Sequence, residues 1–177
     1  MPSSWHTAAV PVSFRLLRRD ELAEADDYVA LHAEVCAETA AGFADRFRVH
    51  RRQPGFVLAE ARNGGYLVGY AYGMPLRPST DWWRQLTTPL PDDVTTEHPG
   101  RTFALPQLVV RPAYRRQGIG TTLHDLVLTG RPEERATATL PPDATAAQAA
   151  FAAWSWRKIA RTRDAAQVLD VLIRELS

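Results

Sequence analysis

The run of residues best equipped for chemistry is RRQGIG, Arg115 to Gly120. Three nitrogen-rich side chains, Arg115, Arg116 and Gln117, lead into Gly118, Ile119 and Gly120. The run lies between a strand-like stretch, Leu108-Val109-Val110, and a helix-like one from Thr121 to Leu128. A helix start carries unpaired N–H groups and a partial positive charge, which suits a phosphate or pyrophosphate. Glycines at 118 and 120 remove the side chains that would hold those amides off a ligand, and either Arg115 or Arg116 can grip phosphate in bidentate fashion. Two familiar phosphate motifs do not fit. A Walker loop needs Gly-Lys-Ser/Thr, and the one lysine of the chain is Lys158. A dinucleotide fingerprint needs a glycine directly after the strand and a third one three residues beyond the second. Here Gly118 comes well after Val110, and Leu123 holds the third position.

The elements that must position this corner are legible from periodicity. VSFRLL reads as a first strand, after which Asp20 is placed to cap a helix with Leu22, Ala25, Val29, Ala33 and Cys36 near one face. A shorter basic helix is expected from Ala44 to Gln53, ended by Pro54-Gly55. GFVLAEAR and GYLVGYAYGMPL flank Asn63-Gly64-Gly65, a strong hairpin signal. In the second of these strands, alternation sets Leu67, Gly69, Ala71 and Gly73 against Tyr66, Val68, Tyr70, Tyr72 and Met74, with Tyr66 and Tyr70 packing across strands. Residues 77 to 101 are long for a plain connection, and Ser79 or Thr80 is placed to cap a short helix DWWRQL. Pro106, inside the next strand TFALPQLVVRP, predicts a bulge and a bend. A helix GIGTTLHDLVL, a strand RATATL, an alanine-rich helix from Asp143, and strands in WRKIARTR and QVLDVLIREL complete the order.

LVVRPAYRRQGIGTTLHDLVL resembles motif A of the GNAT superfamily of acyl-CoA-dependent N-acyltransferases, written [QR]-x-x-G-x-[GA] after a strand ending V-x-P. Val110-Arg111-Pro112 and then Arg115, Gly118 and Gly120 carry the match. AQAAFAAWSWRKIA is similar to the family's later A-x-x-x-Y-x-x-x-G-F, and the order of elements agrees from Val12 to Leu176. The resemblance implies a mixed, mostly antiparallel α/β sheet of six to seven strands, splayed after a bulged fourth strand and flanked by helices. It also implies acetyl-CoA or coenzyme A as cofactor. The pantetheine arm would pair with backbone groups of Leu108 and Val110, and amides from Arg116 to Thr121 would hold the pyrophosphate. A backbone N–H of Val109 or Val110 would meet the oxyanion, and Phe151 would lie at the thioester end. The activity implied is acyl transfer to a primary amine of a small molecule or peptide.

Acyl transfer to an amine needs a base for the ammonium proton and is helped by an acid for the leaving thiol. In the family that the chain resembles, a glutamate often stands at the position of Gln107 and a tyrosine at that of Phe151; neither residue present here transfers a proton, and Ser155 stands for the family's usual glycine. A thiol pKa of about 8.5 makes the missing acid tolerable. Candidates for the base are His98, Glu97 and Asp81 in the insertion, with Glu60 at a strand end. His98 starts from the best unperturbed pKa, about 6.5. Trp82, Trp83, Tyr72 and Gln107 are candidate walls of the amine pocket, whereas His6, His32, His50 and His124 show no catalytic partner or metal spacing. The His124-Asp125 pair reads as an exposed helix face. The loss of both proton-transfer groups leaves a second reading open, an acyl-CoA-binding protein with weak catalysis.

The chain of 177 residues suits one domain from residue 12 to 177 behind a flexible tail of residues 1 to 11. Lys plus Arg number 21 against 20 Asp plus Glu, a balance that argues against a dedicated nucleic-acid binder despite the local run Arg46, Arg48, Arg51 and Arg52. Cys36 is the single cysteine, which excludes an internal disulfide and suits a reducing compartment. Neither a signal peptide nor an apolar run of membrane-spanning length is evident. The expectation is a cytoplasmic monomer or homodimer without metal, membrane or nucleic-acid partner.

Overall fold

A computed structural model describes residues 11–22, 24–164 and 167–176. The expected tail therefore lies outside the described residues, apart from Pro11. Seven strands form one sheet in the order β1-β2-β3-β4-β5-β7-β6. They are β1 (Val12–Arg18), β2 (Val57–Asn63), β3 (Tyr66–Pro75), β4 (Thr102–Val110), β5 (Arg135–Leu140), β6 (Arg157–Asp164) and β7 (Gln167–Glu175). Every neighbouring pair is antiparallel except β4 with β5, which is parallel. Helices α1 (Asp26–Val35) and α2 (Ala40–Arg51) cover one face, and α4 (Ile119–Leu128) and α5 (Thr145–Ala153) the other. Between β3 and β4 lies α3, a single turn over Asp92–Thr95.

Two expected backbone devices are present. Gly64 and Gly65 both adopt positive φ (56° and 88°), the geometry of a tight two-residue hairpin turn joining β2 to β3. At Pro106 the register slips, because Tyr72 pairs with Gln107 and Met74 with Ala104. One β3 residue, Gly73, thus opposes two on β4, Leu105 and Pro106, which is a β-bulge. Glycine is required at 73, since a Cβ there would run into the Phe103 ring and the Ala104 carbonyl. Proline, lacking an N–H, sits where the ladder is already broken.

Elsewhere the chain departs from its simple periodicity. Helix α1 starts at Asp26, not Asp20, because the Glu21 carboxylate accepts the Arg18 N–H (2.7 Å) and closes a 3-10 turn over Arg19–Glu21. The helix therefore buries Tyr28, Leu31 and His32, and Ala33 is exposed. Helix α2 begins a turn earlier than expected, at Ala40, where the Thr39 hydroxyl caps the Gly42 N–H at 3.1 Å. A second bulge, between Ala61–Gly69 and Arg62–Leu67, inserts Val68. It exchanges the faces of two residues: Leu67 packs with Tyr70 and Tyr72 under α1 and α2, and Val68 with Ala71 under α4. Tyr66 is exposed rather than packed across strands, and the Arg111 guanidinium lies over its ring.

DWWRQL forms a turn rather than a helix. Asp81 and Arg84 close it (2.8 Å), and the chain then extends to Leu86, which bridges Thr162 on the edge strand β6. Thr87 N–H to the Arg161 carbonyl (2.8 Å) and the Thr162 hydroxyl to the Gln85 carbonyl (2.6 Å) cover that edge further. With no helix there to cap, the Thr80 hydroxyl only closes the start of the turn, accepting the Trp82 N–H at 3.2 Å.

Candidate active site

Strands β4 and β5 pair only over Thr102–Leu105 against Arg135–Ala138. Beyond the bulge, β4 stays with β3, and Thr139 and Leu140 of β5 stay with β7. A gap opens in the middle of the sheet, and Pro106, Gln107, Leu108, Val110, Thr139 and Leu140 are all partly exposed there. The gap lies at the carboxyl ends of the one parallel pair, where open α/β sheets take their ligands.

The backbone facing the gap follows from the ladder. Arg111 N–H donates to the Val68 carbonyl at 2.8 Å, which makes Gly69–Val110 a non-hydrogen-bonded pair and turns the peptide groups of Val109 toward Tyr70. The peptide groups of Leu108 and Val110 then point into the gap. Val110's carbonyl already accepts from Arg115 Nε at 3.1 Å.

The glycine corner sits beside this edge. Arg116 (φ 62°) and Gly118 (φ 79°) are both left-handed, and the first helical bond runs from Thr122 N–H to the Gly118 carbonyl at 3.0 Å. The N–H groups of Ile119, Gly120 and Thr121 thus have no acceptor within the helix. A Cβ on Gly118 would meet nothing within 4 Å. One on Gly120 would meet Val110 (3.8 Å), Leu108 (3.9 Å) and Trp154 (4.0 Å), ordinary contacts that leave the position free to accept a side chain. Glycine here is not demanded by the packing of the protein itself. It keeps open a cradle between β4, Trp154 and the helix start, suited to an anion with an extended chain attached.

Phe151 is buried, 4% exposed, with ring centroids 5.3 Å from Trp154 and 5.2 Å from Trp156. His124 joins that cluster instead of lying on an exposed helix face. It is fully buried, stacked 4.3 Å from Trp154, and its Nε2 accepts the Trp156 indole N–H at 3.0 Å. Its Nδ1 lies 2.9 Å from Asp125, and burial lowers its pKa.

The three candidate bases of the insertion are not brought to the gap. Glu97 and His98 precede Thr102, at the opposite end of β4 and roughly 20 Å along the strand from Leu108. Glu97 is buried, and its Oε1 accepts from Trp83 Nε1 (3.0 Å), the Thr102 hydroxyl (2.8 Å) and Arg135 Nη2 (3.1 Å). His98 is exposed, 3.7 Å from Glu134, and Asp81 is exposed in its pair with Arg84. Glu60 is also committed, accepting from the Tyr28 hydroxyl (2.9 Å) and Arg62 Nε (3.0 Å). Of the two tryptophans, Trp83 is buried as the anchor. Trp82 is partly exposed and donates its indole N–H to Thr137 (3.1 Å), one residue short of the gap.

A polar cluster around Gln107 takes their place, and most of it escapes a reading of sequence. Gln107 Nε2 lies 3.4 Å from His32 Nδ1 and 3.8 Å from Cys36 Sγ, and its Oε1 accepts from Arg46 Nη2 at 3.4 Å. His32, 1% exposed, has Nδ1 3.1 Å from the Tyr70 hydroxyl and Nε2 3.1 Å from Glu38. Arg46 closes the circuit on the other Glu38 oxygen. Burial, with Arg46 adding to it, holds His32 below its ordinary pKa against the pull of Glu38. A neutral imidazole donating Nε2–H to the carboxylate leaves Nδ1 as an acceptor, which matches its neighbours. Tyr72 is fully buried beside this cluster, its hydroxyl 3.0 Å from His50 Nδ1, and burial raises its pKa to about 12. Burial likewise raises the Cys36 thiol.

The sequence profile described as the Acetyltransferase (GNAT) family matches residues 18–153. Among curated proteins, no sequence matches the chain. Solved structures share the fold at low identity. Arabidopsis thaliana NAA60 in complex with acetyl-CoA superposes with a TM-score of 0.69 at 14% identity, over 93% of this chain and 99% of that one. For Arabidopsis thaliana Naa50 in complex with the bisubstrate analogue CoA-Ac-MVNAL the values are 0.62 and 13%, over 92% and 97%. For the IAA acetyltransferase from Bacillus cereus they are 0.61 and 11%, over 94% and 100%. With the profile spanning most of its length, the chain belongs to the GNAT acetyltransferase family.

Proposed function

We propose that the protein is an N-acetyltransferase, a single domain from residue 12 onward, that moves the acetyl group of acetyl-CoA to a primary amine of a small molecule or peptide. The observation that carries this reading is the conjunction of the gap after Leu105–Ala138 with the glycine corner on the same edge of β4. Acetyl-CoA supplies the activated acyl group as a thioester. Free amides of Ile119, Gly120 and Thr121, with those of Arg116 to Gly118 and the charges of Arg115 and Arg116, would hold its pyrophosphate. Leu108 and Val110 would offer peptide groups to the arm, and Phe151 would close the far wall with Trp154. Val109, turned toward Tyr70, drops out of the polar contacts. The gap also faces α1 and α2, where the Gln107 cluster meets it, and the amine would approach from that side with Trp82 nearby. NAA60 with acetyl-CoA and Naa50 with a CoA-peptide analogue support this choice of ligands.

The test is thiol release from acetyl-CoA with a panel of primary amines, alongside calorimetric titration of acetyl-CoA. Micromolar binding with amine-dependent thiol release is the expected result. Binding without release for any amine would favour the second reading, an acyl-CoA-binding protein of weak catalysis, which draws on the absence of a transferable proton on Gln107 and Phe151.

A further inference from the structure

Resting on that reading, we propose that Glu38 is the residue that receives the substrate ammonium. Among the groups around Gln107, His32, Tyr70 and Tyr72 are almost fully buried and the Gln107 amide is neutral. Glu38 is the carboxylate of the cluster, and its side chain is 31% exposed. Local structure fixes its place. Helix α1 ends with Cys36 N–H on the His32 carbonyl (2.8 Å), and α2 restarts at the Thr39 cap, so Glu38 is pinned in a four-residue link, 36 to 39. From there one oxygen reaches back to His32 Nε2 (3.1 Å) and the other meets Arg46, which in turn touches Gln107. Two donors hold the carboxylate in one orientation while leaving it partly open to solvent. A carboxylate has about four acceptor directions, so both partners can stay as an ammonium docks. His32 and Arg46 act as positioning residues, and Gln107 links them to the bent strand where the gap opens.

The chain's single cysteine gives a probe that does not depend on turnover. Cys36 is two residues from Glu38 and is partly exposed. In full-length protein, Cys36 would be labelled with aminoethyl methanethiosulfonate, which is cationic, and with neutral methyl methanethiosulfonate. The ratio of the two rates is expected to fall about fivefold in Glu38→Gln, the effect of removing one unit charge a few ångströms away. In parallel, KM for cationic amines is expected to rise about ten- to a hundredfold in that variant. Methoxyamine, uncharged near neutrality, should change less than about twofold, and acetyl-CoA affinity should be unaltered. An unchanged labelling ratio, or equal KM changes for charged and uncharged amines, would overturn the assignment. Loss of acetyl-CoA binding in the wild-type chain would instead remove the acetyltransferase reading, with the labelling ratio still deciding the charge at Glu38.

Discussion

Gln107 directs its amide nitrogen at Nδ1 of His32, 3.4 Å away, across 75 positions of chain. The contact ties the bent segment of β4 to α1, and the Gln107 oxygen ties it to α2 through Arg46. Gln107→Ala should therefore lower kcat/KM for the amine about tenfold, the equivalent of one lost hydrogen bond to a charged or positioned partner. Acetyl-CoA affinity, set on the other face, should hold within about twofold. Steady-state kinetics and calorimetry on the same preparation separate the two effects.

Gly118 and Gly120 should respond differently to alanine. At Gly118 the left-handed backbone makes any side chain costly by about 1–2 kcal/mol, so Gly118→Ala should lower Tm. Gly120 lies in the first turn of α4 with room for a Cβ, and alanine there should stabilise by up to about 1 kcal/mol. Both Gly120→Leu, which fills the cradle, and Gly118→Glu, which adds an anion, should abolish acetyl-CoA binding. A Gly120→Leu protein that melts like wild type yet titrates acetyl-CoA normally would refute the placement of the cofactor.

Glu97 is expected to matter for folding and not for proton transfer. Its buried pair with Arg135 is 1% and 7% exposed, and removing one partner strands the other charge at a cost of about 3–5 kcal/mol. Glu97→Ala should lower Tm sharply, and whatever remains folded should turn over normally. Asp81→Ala and His98→Ala, both at exposed positions, should leave activity and Tm near wild type. Thermal melts with specific activity per folded molecule check all three.

Acid should destabilise the fold through three histidines whose surroundings disfavour the charged ring. His32, His50 and His124 all have pKa values lowered chiefly by burial, His50 to about 4. In the unfolded chain each takes a proton near pH 6.5. Above that pH neither state binds the proton and the fold is at full strength. As the pH falls below 6.5 the unfolded state gains protons that the fold refuses, and stability drops by up to about 1.4 kcal/mol per pH unit for each histidine. Urea midpoints should fall between pH 7 and pH 5, and His50→Gln should flatten the slope.

Local chemistry was legible in the sequence where one segment determines the structure. The hairpin needs two glycines at positive φ, Pro106 breaks a ladder by its own covalent geometry, and the helix start after Gly118 presents amides whatever lies around it. The amine side was hidden for the opposite reason. His32, Glu38, Arg46 and Gln107 come from two helices, a turn and a strand, and none has a sequence neighbour that marks it. The available signals were slight: Tyr28, Leu31 and His32 at core spacing on α1, and a glutamate placed directly before a threonine cap. The insertion misled because Glu97 and His98 are close in sequence to β4 yet join it at its amino end, while the gap opens at the other.

The two tryptophans of the insertion should separate anchoring from contact with substrate. Trp83 is buried, its indole N–H on Glu97, and the Arg135 guanidinium lies 5.5 Å from its ring. Truncating it removes a core side chain and unpairs part of a buried ionic cluster, so Trp83→Ala should destabilise by about 3–5 kcal/mol. Trp82 packs against the same core only in part, and its bond to Thr137 holds the indole over β5 just before Ala138, where β4 departs. Thr137 pairs with Ala104, three residues before Gln107 on β4, and the indole lies on the face shared with α1 and α2. Trp82→Ala should cost less stability and raise KM for amines with an apolar body more than KM for small ones, because an aromatic wall contributes through area. Trp82→Phe should retain most of that discrimination. The measurement is a ratio, KM for a benzylic amine over KM for methylamine, in wild type and both variants. A ratio unmoved in Trp82→Ala, at unchanged acetyl-CoA affinity, would make the insertion a structural cover for the edge of β6 and would leave the amine contacts to α1, α2 and β4.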